Sequence, residues 1–432
     1  MKRSFPAVIA LAACASSAPS RRVVVISIDG LMPEAYTNPD AHGLKVPALR
    51  SLVARGMSAS AVEGVFPTVT YPSHTTIATG VPPSVHGIVT NKPADPLDKN
   101  MAGWRWYNED TKVTTLWDAV EAQHRQAALV TWPVTVGAKA TFVVPEYWRA
   151  GGSDDQKLLR ALATPGLLAK IARDVPDLWT KLTPPDVGDE AQFAIATYLV
   201  THEHPDLVML HAWALDDAQH DHGPWSPEAK AAIENADRLI GKLVATLEAQ
   251  PEWQGTTFVV LSDHGFAPIE HEVEPNVVFA RHHLIELDKD GKTTSARVAV
   301  IASGGSAFFY ILDPAATAEV DAAVGELAGV AKRYTHDEVV AAGGDPAAAF
   351  VLAAKPSFSF GDRRIGPDVV DTPGRGTHGW PPTEPAMRSS FIAVGPAISH
   401  RDLGMIHMVD IAPTLAGWLG VTLPAATGTA IR

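Results

Sequence analysis

A chain of 432 residues with 46% hydrophobic and 19% charged side chains has ordinary globular composition and enough apolar material for a large core, which excludes a disordered or fibrous protein. Its formal net charge of -13 excludes a surface that grips DNA or RNA through clustered Lys and Arg, so no stable nucleic-acid binding is expected; a small anionic ligand needs cations to supply the opposing charge. Cys14 is the single cysteine, which excludes an internal disulfide and cysteine chemistry at an active site.

The first residues, MKRSFPAVIALAACASSAPS, carry Lys2 and Arg3, an apolar run from Phe5 to Ala13 and then small residues. This is the composition of an export signal, too short to span a bilayer. Leu11-Ala12-Ala13-Cys14 resembles the lipobox of bacterial lipoproteins, in which the cysteine is lipidated and becomes the new N-terminus. Cleavage at a small-residue site such as Ala13-Cys14-Ala15 would instead release a soluble protein. Either outcome places the protein outside the cytosol, and the expectation is a periplasmic protein held to the membrane only by a lipid on Cys14. After residue 20 no run of about 18 or more apolar residues follows, so no second membrane segment is expected.

The next element is Val23 to Asp29, VVVISID, an apolar and mostly β-branched run that ends in an acid. Then comes FPTVTYPSHTTIATG, Phe66 to Gly80, with six hydroxyls in fifteen residues. Proline suits a first helical position and glycine ends helices, so a helix is expected from Pro72 to Gly80 with Thr70 at its mouth. There Thr70 is either an N-cap or, given a base or metal to activate it, a nucleophile facing the positive end of the helix.

Helical patterns follow at Thr115 to Ala122 and Gly166 to Arg173; Leu207 to Asp216, LVMLHAWALD, is a second acid-ended run. A helix over Pro227 to Leu247 and a third such run, Thr257 to Asp263, complete the series. Runs apolar on both faces suit strands buried in a parallel sheet, whose ligands gather beyond the strands' carboxyl ends. The alternation predicts an α/β sandwich with helices on both faces. From about Glu270 to Asp371 the pattern is less regular. It contains the turn signal Lys289-Asp290-Gly291-Lys292, a strand-like Ala307 to Leu312 and a helix near Ala316 to Ala328, and is read as a smaller insertion capping the site within a catalytic domain of residues 21–432.

Histidines stand beside the strand-end acids: Asp216 and His220 four apart in DDAQHDHGP, Asp263 and His264 adjacent in LSDHGF, and His378 in RGTHGW. Singly, such residues serve turns and hydrogen bonds. Together Asp29, Asp216, His220, Asp263, His264 and His378 make three carboxylates and three imidazoles, a mixture that suits two Zn²⁺ or other divalent ions in groups of three, each with an open position. Two such ions about 4 Å apart can hold the attacking and leaving oxygens of a displacement at phosphorus.

VVVISIDG, FPTVTYPSH, HGIVTN at His86 to Asn91, the D-x-x-x-H-x-x-G-P from Asp216 to Pro224, SDHG, THGW and FIAVGPAI resemble, in order and spacing, the alkaline phosphatase superfamily and most closely its nucleotide pyrophosphatase/phosphodiesterase branch. The resemblance covers most of residues 22–422 and implies an alkaline phosphatase-like sandwich around a largely parallel sheet. It further implies that Thr70 is the nucleophile and shares one zinc with Asp29, Asp263 and His264, and that Asp216, His220 and His378 hold the other. Asn91 would donate a hydrogen bond to a phosphoryl oxygen, Tyr71 would stack on a nucleobase, and Trp132, in Thr131-Trp132-Pro133, matches the family's Trp-Pro-Gly segment and would line the substrate. The implied reaction is hydrolysis of a small phosphodiester or a nucleotide pyrophosphate through a phospho-threonine intermediate.

The chain departs from the pattern where the family commonly reads Tyr-x-x-x-Pro-Asp: here stand His211 and Leu215 before Asp216. The stretch from Ala150 to Asp189 is also longer than the corresponding connection. Both departures bear on the leaving-group side. The alternatives are a phosphomonoesterase or phosphonoacetate-hydrolase-like enzyme, for which Lys139 or Arg149 would have to reach the phosphoryl group, and, more remotely, a non-catalytic lipid-anchored binding protein.

Overall fold

The acid-ended runs become strands whose side chains meet a packed layer whichever way they point. In the computed structural model, which describes residues 21–100, 103–149, 153–182 and 189–431, the central sheet has eight strands. In chain order they are β1 (Val23–Ile28), β2 (Met57–Ser58), β3 (Ala127–Val130), β4 (Phe142–Val144), β5 (Leu207–Ala212), β6 (Thr257–Leu261), β7 (Phe391–Val394) and β8 (Arg401–Asp402). Across the sheet the order is β8-β2-β7-β6-β1-β5-β3-β4. The block β6-β1-β5-β3-β4 is parallel throughout, and only β7 runs antiparallel to its neighbours. Residues 1–20, and with them the expected export signal and Cys14, lie outside the described residues.

The two faces of β1 show the layering. Val24, Ile26 and Ile28 enter one apolar core and Val23 and Val25 the other. Each is fully buried, and burying a Val or Ile side chain contributes roughly 1.5 to 3 kcal/mol. Helices α1 (Pro47–Arg55), α2 (Thr70–Thr79), α3 (Leu116–Glu121), α4 (Asp189–His202), α5 (Ala214–His222), α6 (Pro227–Glu248) and α7 (Ile411–Leu419) frame the sheet. The first core takes in α1, α4 and α6, the second α2, α3 and α7. Among the described residues no helix is long and apolar enough to cross a membrane.

Local side-chain caps account for two of these helix starts. Ser226 caps α6 by accepting from the Ala229 amide with Pro227 in the first position, and Thr115 and Asp118 form a reciprocal capping box on α3. The α1 start is different: Ala48 and Leu49 donate their amides to Asp237, an acid of α6 distant in sequence.

Two expectations need correction. Helix α2 begins at Thr70 rather than Pro72, with Val69 as N-cap and no side-chain cap. A proline fits anywhere in a first turn, where the amide has no partner inside the helix, so Pro72 was a poor marker of the start. Asp216 does not end a strand either: β5 stops at Ala212, and Asp216 lies in the first turn of α5.

After β6 the chain leaves the central sheet. Ala267–Val273 pairs with Ser357–Phe360 and Val369–Thr377 in a three-stranded sheet, beside a four-stranded sheet ordered Val298–Ser303, Ser306–Ile311, Phe350–Ala354, Val330–Thr335. These elements and the helix Thr317–Gly325 enclose a core of their own around Phe279, Phe309 and Phe350. The strand Val369–Thr377 then delivers His378 to the central sheet's carboxyl edge, where Asp29 and Asp263 follow β1 and β6.

Candidate metal centre

Asp29 follows β1 directly and Asp263 follows β6 by one residue; because β1 and β6 are parallel neighbours, the two acids emerge side by side. His264 comes next, and its Nε2 lies 3.1 Å from Asp263 Oδ2, 3.2 Å from Asp29 Oδ1 and 3.5 Å from the Thr70 hydroxyl. All four residues are buried. On α5, Asp216 and His220 are four apart and share a helix face, with His220 Nε2 3.4 Å from Asp216 Oδ2. His378 Nε2 stands 3.8 Å from Asp216 Oδ1, and its ring stacks on His264 at 3.6 Å.

Ligand atoms of Asp216, His220 and His378 thus converge, as do those of Asp29, Asp216 and His264. Asp216 belongs to both groups, so the two share an edge. The six acids and imidazoles singled out from the sequence are brought together around Thr70.

Hydrogen bonding tests whether this cluster fits metal ions. The Nδ1 atoms of His220, His264 and His378 face the carbonyls of Gly376, Gly265 and Thr68 at 3.1, 3.1 and 3.0 Å. A carbonyl only accepts, so each ring carries its proton on Nδ1 and turns a lone pair on Nε2 toward the cluster, the orientation in which a histidine binds a metal. The carboxylates are similarly divided. Asp29 Oδ2 lies 3.0 Å from His211 Nε2 and Asp263 Oδ1 accepts from the Gly30 amide at 3.2 Å. Asp29 Oδ1, Asp263 Oδ2 and Asp216 Oδ1 are buried without a hydrogen bond. Orphaned carboxylate oxygens are costly unless a cation takes them.

The electrostatics agree. Burial pushes Asp29 well above the usual carboxylate range, and the Asp216 charge adds to it; burial does the same to Asp263, with Asp29 adding. Burial holds His264 far below the ordinary imidazole value, with His378 lowering it further, and brings His378 down to about 4. Neutral imidazoles and carboxylates that resist ionising together are what a divalent ion would stabilise as ligands.

Thr70 is the first residue of α2 and its hydroxyl does not cap the helix, which removes the structural reading of that side chain. Asn91 serves the helix instead. Its Oδ1 accepts from the Tyr71 amide at 2.9 Å, leaving the side-chain NH₂ as the group it can offer a ligand.

Tyr71 and Trp132 do not line the cavity beside the cluster. Each is fully buried: the Tyr71 hydroxyl donates to Glu146 at 2.9 Å while its ring packs on Trp104, and Trp132 meets His74 edge-on. Neither ring can stack on a ligand, because each lies beneath the wall rather than on it. The cavity beside Asp29, Thr70, Asp216 and His220 has a volume of about 540 Å³, within the range of small-molecule sites. Its aromatic surface comes from Trp104, Tyr147, Trp148 and Trp213, with Trp104 and Trp148 edge to face at 5.2 Å. Gln156 and Leu159, from the long connection after Ala150, and Leu182 complete one wall.

No Lys or Arg is among the described residues lining this cavity. Lys139 is exposed and absent from it; Arg149, also exposed, lies over the Trp106 ring and donates to the Asn100 carbonyl. Lys92, next to Asn91, sits over Trp104 at 5.6 Å and lines another pocket. Sequence reasoning missed the aromatic wall. Its signals were present as isolated tryptophans in GWRW, PEYW and HAWA, three segments with nothing local to join them.

The family profile described as type I phosphodiesterase / nucleotide pyrophosphatase matches residues 23–381. Among curated proteins, the mouse ectonucleotide pyrophosphatase/phosphodiesterase family member 1 is 26% identical over 262 residues, 58% of this chain and 25% of that protein. A bovine bis(5'-adenosyl)-triphosphatase is 25% identical over 259 residues, 58% of this chain and 48% of that one. The chain therefore spans between a quarter and a half of these relatives' lengths. Among solved structures, an inactive murine ectonucleotide pyrophosphatase/phosphodiesterase 5 in complex with AMP superposes with a TM-score of 0.67 at 20% identity, covering 94% of this chain and 97% of that one. That likeness establishes a shared fold.

Proposed function

The chain belongs to the type I phosphodiesterase / nucleotide pyrophosphatase family, and from that membership we propose that it is a two-metal hydrolase of small phosphodiesters or nucleotide pyrophosphates, with Thr70 as nucleophile. The observation that supports this reading best is the set of lone pairs and orphaned carboxylate oxygens gathered beside the Thr70 hydroxyl, whose one recorded hydrogen-bond contact is with His264 Nε2 of that cluster.

In the proposal Asp29, Asp263, His264 and Thr70 hold one Zn²⁺ or similar ion and Asp216, His220 and His378 hold the other. Such ions, when bound, lower the pKa of a hydroxyl and stabilise charge on a departing oxygen. The chain's own residues do the rest. Thr70 Oγ1 forms a bond to phosphorus as the bond to the leaving oxygen breaks, giving a phospho-threonine; water then attacks the same phosphorus and the bond to Thr70 breaks. Asn91 donates its NH₂ to a phosphoryl oxygen, and a single well-placed donor of this kind contributes roughly 3 kcal/mol to the transition state. The buried position of Thr70 limits competing water.

A diester is favoured over a monoester by the cavity. A monoester dianion calls for additional cationic side chains, and none is among the described residues lining the space; a diester brings a second substituent, which an aromatic-walled cavity of about 540 Å³ accommodates. Trp104, Trp148 and Trp213 take over in this reading the contact first given to Tyr71 and Trp132. Export, with or without a lipid on Cys14, remains part of the proposal on the composition of residues 1–20 alone.

The test is a kinetic panel on zinc-loaded protein: bis(4-nitrophenyl) phosphate, a 4-nitrophenyl nucleoside monophosphate, 4-nitrophenyl phosphate and phosphonoacetate. Either diester should exceed the monoester in kcat/KM. A faster monoester would make the enzyme a phosphomonoesterase, and turnover of phosphonoacetate alone would move it to C-P hydrolysis.

A further inference from the structure

Behind Asp29 lies a buried chain of polar groups that neither the metal set nor the nucleophile uses. His211 Nε2 stands 3.0 Å from Asp29 Oδ2; its Nδ1 stands 2.6 Å from Glu146 Oε2 and 3.2 Å from the Thr131 carbonyl; the Tyr71 hydroxyl donates to Glu146 Oε1 at 2.9 Å. Tyr71, Glu146, His211 and Asp29 are each at most 2% exposed. The strands hold the chain rigidly: His211 lies within β5, paired in register with Ser27 of β1, and Thr131 just past β3 returns its hydroxyl to the His211 carbonyl at 2.7 Å.

The effect on Asp29 is geometric. With Oδ2 committed to His211, the carboxylate cannot rotate without losing a buried hydrogen bond, and Oδ1, the oxygen without a hydrogen-bond partner, stays 3.2 Å from His264 Nε2. Glu146 fixes the imidazole in turn through the other nitrogen, and Tyr71 fixes Glu146. A tyrosine in place of His211, as in the pattern from which this chain departs, has one hydroxyl and could not bridge two carboxylates. The departure is thus matched by two partners, Glu146 and Tyr71, that only the fold brings together.

We propose that Tyr71, Glu146 and His211 form a positioning relay that presents Asp29 Oδ1 to the metal ion of the Thr70 half-site, so that affinity at that half-site depends on residues that hold no ion themselves, two of which, Glu146 and His211, also reach the cavity wall. The inference rests on the two-metal reading above. Outer-shell partners of this kind are worth about 10 to 100-fold in metal affinity.

The probe is Zn²⁺ alone, titrated into metal-free full-length protein against a chromophoric chelator, with Co²⁺ absorption as a second readout. Wild type should take two ions. His211→Leu should weaken one of them about 10 to 100-fold and alter one cobalt spectrum, leaving the other ion's affinity within about twofold. His211→Gln, which keeps a donor near the Nε2 position, should recover most of the loss, and Glu146→Gln and Tyr71→Phe should cost progressively less. A purely structural network would instead lower the melting temperature of the metal-free protein with both affinities intact, and that result in a folded His211→Leu or Glu146→Gln protein overturns the relay. Wild type binding fewer than two ions overturns the two-metal reading and the relay with it; two ions in wild type with unchanged variants overturns the relay alone.

Discussion

The two halves of the candidate centre are built differently. The inner half, Asp29, Asp263 and His264, has side chains 0 to 3% exposed and stands on the ends of adjacent parallel strands. The outer half, Asp216, His220 and His378, has side chains 15, 34 and 9% exposed and joins one turn of helix α5 to the residue that follows strand Val369–Thr377. The inner half inherits its rigidity from the core of the sheet and from His211 behind it. The outer half depends on a helix and a strand that pack on each other at the protein surface, where Arg375 pairs with Asp221, so it is the half more open to solvent, to exchange and to a leaving group.

That contrast can be broken or sharpened by substitution, beginning with the largest effect. Thr70→Ala removes the proposed nucleophile while leaving six protein ligands, so turnover should fall by a thousandfold or more, roughly as nucleophile deletions do elsewhere. Both ions should remain by elemental analysis; near wild-type activity would remove Thr70 from its role. His220→Ala takes one ligand from the exposed half. It should release a single ion and lower kcat/KM about 100 to 1,000-fold, partly restored by millimolar zinc. Loss of both ions would mean that the halves are not separable.

Asn91→Ala should lower kcat/KM about 100-fold with metal content unchanged, the cost of one oxyanion donor. Because Asn91 Oδ1 also accepts from the Tyr71 amide, the variant should melt slightly lower as well. A loss of zinc would contradict the assignment.

A last effect, on stability rather than on turnover, lies away from both halves, at His86. Its Nδ1 accepts from the Ile88 amide, its Nε2 meets the Thr76 hydroxyl at 3.0 Å, and burial holds its pKa at about 3. The folded value is depressed below the ordinary 6.5, so the unfolded chain takes up this proton first. The stability this group contributes is complete above pH 6.5 and is lost as pH falls toward 3, on the order of 4 kcal/mol over the full window. Denaturant melts of metal-free protein from pH 7 to pH 4 should therefore show a shallower acid decline for His86→Gln than for wild type. Parallel declines would assign the acid limb to other groups.

Much of this was legible in the sequence because its signals are local. An apolar β-branched run that stops at an acid states both the strand and the place of its last side chain, and His264 is next to Asp263. Thr70 was found through its neighbours and the start of its helix was misplaced, because proline is tolerated across the whole first turn. The burial of Tyr71 and Trp132, away from the lining of the cavity, was missed for a different reason. An aromatic residue's sequence position says where its backbone runs, while exposure depends on what folds over it, here Trp104, His74 and Glu146 from separate segments. The Glu146–His211 contact is 65 residues apart and joins two segments that carry no shared motif.

The proposed centre holds two adjoining ions, with the inner one beside Thr70 expected to bind more tightly than the outer one and both expected to be needed for turnover. Stepwise zinc titration of the metal-free protein, with hydrolysis of bis(4-nitrophenyl) phosphate followed at each addition, measures this directly. Two equivalents should bind in separate steps, with activity rising only during the second. Full activity at one equivalent, or at none in the presence of chelator, would contradict it.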